Sequence, residues 1–177
     1  MGGVFLWRKG SAMDVVLRIL YIVARFGRDV YWAITKPKLT GVRVIILDAN
    51  DAILLVRHRA GPYAWTLPGG GVIPREPVIE AGRRELHEEA GVNIPAKLFY
   101  IHGTSEGAHE IHPCIVTTVA ARAPKLTIPQ PSRWSIEVAD ARFVHPSVFH
   151  ELDDAIEPGC LRRIHEILTG KPVAAHW

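Results

Sequence analysis

The order of its apolar runs predicts an α/β sandwich. Three observations carry that expectation. Two runs rich in valine, isoleucine and leucine flank a polar turn, a helix bounded by proline and glycine follows, and a second series of runs ends in another such helix.

Gly41 to Leu47 and Ala52 to His58 read as strands joined by the turn Asp48-Ala49-Asn50-Asp51, which makes a hairpin. Pro77 suits the first turn of a helix and Gly91 the position just past its end, so Pro77 to Ala90 is predicted helical. On it Ile79, Gly82, Leu86 and Ala90 recur every three or four residues as a narrow packing stripe. Lys97 to His102, Ile111 to Ala120 and Val138 to Val144 follow as strands. Pro146 to His150 reads as a short helical segment and Pro158 to Leu168 as the closing helix, with Gly170 at its end. Between the strands Ile111 to Ala120 and Val138 to Val144, Pro124 to Pro131 is proline-rich and reads as a surface loop.

The N-terminal segment is a separate matter. From Ala12 to Ala33, Val15, Val16, Ile19, Ile22, Val23, Phe26 and Val30 form one helical stripe, and Asp14, Arg18, Tyr21, Arg25, Arg28 and Trp32 form the opposite one. Arg18, Arg25, Arg28 and Asp29 interrupt it well short of the roughly 20 apolar residues that a membrane span requires. It also lacks the uncharged core and cleavage site of a signal peptide. Residues 1 to 43 hold eight Lys or Arg against two Asp, a balance of +6, which leaves the rest of the chain at −3. The apolar stripe is expected to dock on its own domain or on a second subunit of a homodimer; peripheral contact with anionic lipid is the alternative.

At 177 residues and 48% hydrophobic content, the chain has the size and composition of one compact domain with an extension. Cys114 and Cys160 form neither a zinc spacing nor a disulfide framework, so buried thiols in a reducing cytoplasm are expected. Nucleic-acid binding is disfavoured, because the basic residues gather on the N-terminal helix and at Arg57-His58-Arg59 without interleaved aromatics. Basic groups beside a metal site suit the phosphates of a small substrate better. His58, His102, His109 and His112 are scattered and carry no assigned chemistry.

On the central helix, Glu85, Glu88 and Glu89 fall together on one face beside the packing stripe. Such carboxylates repel one another by a few tenths of a kcal/mol per pair, a cost of about that size on an exposed helix. On an arbitrary helix they would read first as a solvated acidic face. A hard divalent cation is the partner that offsets the repulsion, since Mg²⁺ takes oxygen ligands and bridges carboxylates to phosphate. By spacing alone Arg84 is a surface partner for Glu80 or Glu88, and Glu76 is a helix-start residue whose charge suits the dipole.

Gly70, Glu76, Arg84, Glu85, Leu86, Glu88, Glu89, Gly91 and Val92 stand at glycine, five residues, glutamate, seven residues, then Arg-Glu-aliphatic-any-Glu-Glu-any-Gly-aliphatic. With no slot substituted, this resembles a complete Nudix box. Trp65-Thr66-Leu67-Pro68-Gly69-Gly70-Gly71 leads into it in register, as is common in that family. The resemblance implies a mixed-sheet Nudix fold with helices on both sides over residues 38 to 170, an extension at 1 to 37 and a tail at 171 to 177.

It also implies a Mg²⁺-dependent hydrolase, with Mn²⁺ as a substitute, that cleaves the diphosphate linkage of a nucleoside diphosphate joined to another group. Glu85, Glu88, Glu89 and Gly70 would hold the metal and Arg84 would orient the catalytic carboxylate. Gly70, Gly71 and Arg57 would contact the ligand. The proton acceptor would be Glu85, or Glu106 or Glu110 from the segment Gly103 to Ile111. Two rival readings remain: a nucleotide-sensing module on the same fold, and a membrane-surface protein acting through its N-terminal helix.

Overall fold

The computed structural model describes residues 12–35, 39–60, 63–109, 112–124, 127–133, 135–152 and 156–177. Helix α1 spans Ala12–Thr35 and precedes a sheet whose strands are β1 (Leu39–Leu47), β2 (Ile53–His58), β3 (Trp65–Thr66), β4 (Gly69–Gly71), β5 (Tyr100–His109), β6 (His112–Arg122) and β7 (Val138–Val144). Helix α2 is Val78–Ala90 and helix α3 is Pro158–Thr169. The sheet is mixed: β1 runs parallel to β6, while the β1–β2, β1–β4, β2–β3, β2–β7 and β5–β6 pairs are antiparallel.

Alternation along the central strands sorts the core onto two faces. Val42, Val44 and Ile46 of β1 and Leu54 and Val56 of β2 pack with Leu86 and Ala90 of α2. Ile45 and Leu47, with Ile53 and Leu55, pack instead with Cys160 and Ile164 of α3. Both faces are covered, which is why these strands read as unbroken apolar runs rather than as an apolar-polar alternation. This is the mixed sheet with flanking helices expected from the sequence.

The predicted elements recur with shifted ends. Asp48 closes the first turn by accepting hydrogen bonds from the Asn50 and Ala52 amides at 2.8 and 2.9 Å. The β1–β2 pairing is confined to the turn end, at Leu47↔Ile53, because the rest of β1 is taken by β4 and β6. Helix α2 starts after Pro77 and stops at Gly91, whose φ of 67° lies in the left-handed region and whose amide bonds back to the His87 carbonyl. Lys97 belongs to a 3₁₀ turn, Ala96–Leu98, and the strand expected there begins at Tyr100 and continues to His109. β3 and β4 are too short to leave an apolar period, and the glycine run forms a strand paired to β1. Cys160 is buried as expected, whereas Cys114 is only half-buried.

Candidate catalytic site on the glutamate-rich helix

The glycine strand sits directly over α2. Gly69 has a φ of 154°, and a Cβ there would come within 2.1 Å of the Val42 carbonyl oxygen, so only glycine lets the chain lie this close to β1. Its amide donates to Glu89 Oε2 at 2.9 Å, and its carbonyl accepts from Arg43 Nη1 at 3.2 Å. At Gly70 a Cβ would stand 2.5 Å from Glu85 Oε1, so the absence of a side chain is what admits the Glu85 carboxylate.

Arg84 ties the start of the helix to the glycine strand. Its Nε and Nη2 donate to the two oxygens of Glu76, each at 3.0 Å, its Nη1 donates to Glu85 Oε1 at 2.7 Å, and Nη2 also donates to the Gly71 carbonyl at 2.9 Å. Glu88 is 3.6 Å from Arg84 Nη1 and exposed. The hydrogen bond from Arg84 holds the Glu76 carboxyl below its usual range. Glu76 is therefore Arg84's main partner, a role beyond the helix-start charge read from its position.

The three box glutamates occupy different depths. Glu89 is buried at 5% exposure, Glu85 is half-buried and Glu88 faces solvent. Burial raises the Glu89 carboxyl well above the ordinary range; neighbouring Glu137 pushes the same way, and the Gly69 amide and Arg43 oppose it. Burial also raises Glu85, against the pull of Arg84.

Sequence reading missed Glu137 and gave His58 no role, yet the fold brings both to Glu89. One ligand atom from each of His58, Glu89 and Glu137 lies within 4.8 Å of the others. His58 Nε2 is bonded to Thr66 Oγ1 at 2.9 Å, while the buried Nδ1 has no hydrogen-bond partner and sits 3.8 Å from Glu137 Oε1. Burial, and then Arg43, lower the His58 pKa to about 4, so the ring is neutral near pH 7. A neutral imidazole with an orphaned nitrogen beside two carboxylates is a donor set that suits a divalent cation. The available signal was slight: Glu137 immediately precedes β7, whose first residue, Val138, pairs with His58.

Arg57 shares its β2 face with Leu55 and Ile53, the α3 side of the sheet, whereas His58 lies on the α2 side with Glu89. Glu106 is exposed on β5 opposite Ile115, and Glu110 lies outside the described residues. His102, lowered chiefly by burial, feels Glu166 and Arg163 of α3. His109 and His112 pair at the β5–β6 turn, and their side chains lie outside the described set. A recess of about 410 Å³ lined by Leu47, Tyr100, Arg122 and Ile167 opens at the other end of β1, away from the carboxylates.

The C-terminal tail is stitched to this machinery. The Glu106 amide donates to the Ala175 carbonyl and the Trp177 amide to the Glu106 carbonyl, both at 2.7 Å, which extends the β5 edge. Trp177 Nε1 donates to Glu157 Oε1 at 3.1 Å, Glu157 lies 3.7 Å from Arg43, and Arg43 stands 5.9 Å from the Trp177 ring centre. Through Arg43 and Gly69, the last residue is thus three contacts away from Glu89.

The sequence profile of the NUDIX domain matches residues 37–163. The chain belongs to the NUDIX family. It is 38% identical over 63 residues to the m7GpppN-mRNA hydrolase NUDT17 of Bos taurus, an overlap of 33% of this chain and 21% of that protein. It is 36% identical over 66 residues to the RNA pyrophosphohydrolase of Coxiella burnetii, covering 37% of this chain and 28% of that one. The matched segment is thus under a third of the length of either relative. The fold is similar to the NUDIX domain of Shewanella oneidensis NrtR, solved with ADP ribose, with a TM-score of 0.63, 19% identity, and coverage of 76% of this chain and 88% of that chain.

Proposed function

We propose that this protein is a Mg²⁺- or Mn²⁺-dependent pyrophosphohydrolase that cleaves the diphosphate linkage of a nucleoside diphosphate joined to another group. The observation that carries this reading is the convergence of Glu85, Glu89, Glu137 and a neutral His58 beneath a glycine strand. A buried carboxylate at Glu89 with two further carboxylates, Glu85 and Glu137, close to it is costly without a cation.

In this reading Glu85, Glu89 and the outward-facing Glu88 hold the metal, with the Gly70 backbone beside them and Glu137 and His58 at the inner edge. When bound, the cation supplies positive charge to the diphosphate oxygens and makes water a stronger acid. Arg84 keeps the Glu85 carboxylate in one orientation by fixing it against Glu76 and Gly71. The proton of the attacking water passes to a carboxylate at the rim. Glu137, 47% exposed in its side chain and next to Glu89, joins the candidates Glu85, Glu106 and Glu110 for that place. Gly71, exposed at the end of β4, offers backbone to the ligand. Arg57, on the other face of β2, gains no support as a phosphate contact from this register.

The test is a panel of nucleotide sugars, dinucleoside polyphosphates, nucleoside triphosphates and capped RNA, assayed for phosphate-containing products with Mg²⁺, with Mn²⁺ and with chelator. Turnover of at least one substrate that chelator abolishes is expected. Nucleotide binding without turnover across the panel would move the assignment to the sensing module. Arg84→Ala is expected to lower kcat by roughly 10² while changing KM little, since an orienting group acts in the transition state. A KM effect alone would show that Arg84 binds substrate instead.

A further inference from the structure

The apolar face of α1 is uncovered. Val15, Val16, Ile19, Leu20, Ile22, Val23 and Phe26 are each between 50% and 70% exposed, and among the helix residues whose side chains are described only Leu17, at the border of that face, is buried. Seven large aliphatic or aromatic side chains on one face of a 24-residue helix, roughly 36 Å long, make a continuous patch of a kind that monomers seldom leave open. We infer that α1 lies in the plane of an anionic lipid surface, with this face among the acyl chains and its arginines at the phosphate level.

Three features select that occupant. No described helix is long and apolar enough to cross a membrane, so the helix would lie on the surface rather than span it. Its charge suits a lipid headgroup layer: α1 and its flanks, residues 1 to 38, hold seven Lys or Arg against two Asp, a balance of +5, and Arg18 and Arg25 belong to the stripe opposite the apolar one, each within about one helical turn of Ile22. The same charge opposes a second copy of the chain, because a symmetric pairing through this face would bring two such segments together. Tyr21, Tyr31 and Trp32 belong to the residue types that settle at the headgroup boundary. The face shares no residue with the glutamate site, so the inference does not depend on the proposed hydrolysis.

Full-length protein sedimented with vesicles tests it. Wild type is expected to pellet with equimolar phosphatidylcholine and phosphatidylglycerol, to stay largely in solution with phosphatidylcholine alone, and to be released by high salt. Val23→Asp with Phe26→Asp should cut pelleting about tenfold or more. Both sites are exposed, so the thermal midpoint should not move. Arg18→Glu with Arg25→Glu should weaken pelleting and flatten its salt dependence. The inference is overturned if wild type ignores the anionic vesicles or if the aspartate pair pellets like wild type. It also fails if light scattering finds a wild-type dimer that the aspartate pair dissociates, since a second copy then covers the face.

Discussion

Glu89→Gln should lower the rate of metal-dependent hydrolysis by on the order of 10³, equivalent to about 4 kcal/mol of transition-state stabilisation. The substitution keeps the shape and an oxygen for the Gly69 amide, which Glu89 accepts at 2.9 Å, but removes the charge that would bind a cation. It also removes a carboxylate that burial and Glu137 already disfavour in its charged form. Thermal stability without metal should therefore hold or rise while activity collapses. That combination separates a ligand from a packing residue, for which loss of activity would follow loss of stability. Glu88→Gln should show a comparable fall in rate with no gain in stability, because Glu88 is exposed. Near-wild-type turnover by both variants would remove the metal assignment. An equal loss of stability and activity in Glu89→Gln would make Glu89 structural.

Arg163→Met should destabilise the domain by about 3–5 kcal/mol, a fall in thermal midpoint of roughly 10 °C for a chain of this size. Arg163 is fully buried in α3, 3.1 Å from Glu166, and it donates to Ser105 Oγ and to the carbonyls of Ala174 and His176. Glu166 in turn accepts from the Ala174 amide at 3.1 Å, so one ion pair fastens the tail to both α3 and β5. Removing the arginine strands a buried carboxylate and three oxygen acceptors. Arg163→Met with Glu166→Leu should recover part of the loss, as removing both charges relieves the unpaired one, and a double-mutant cycle reads the coupling. A midpoint within 2 °C of wild type for the single variant would show that the pair contributes little.

Much of the frame was legible in the sequence. Helix α2 announced itself because Pro77 and Gly91 each act locally, through a fixed φ at one end and a left-handed residue at the other. β1, β2 and β6 showed as largely apolar runs, since strands covered on both faces need few polar residues in their centre, whereas β7 carries Asp140 and Arg142 among its apolar residues. What escaped were features made by distant partners. β3 and β4 are strands only because β1 and β2 offer them edges, and two or three residues carry no period of their own. Arg163 read as an ordinary helix arginine, since its partners Ser105, Ala174 and His176 come from other segments.

For the site, the chain alone determined which carboxylates share a helix and which glycines precede them, because spacings of three and four residues are set by helical geometry. The family followed from those residues as well. Tertiary structure decided the depth of each carboxylate: Glu89 turns under Gly69 and Glu88 turns to water, a difference set by where the glycine strand lies over the helix. It also decided that Glu137 and His58 join Glu89, through the β2–β7 pairing that puts Val138 beside His58. Local spacing can place groups on one element, but only packing between elements can bring together charges that lie far apart along the chain.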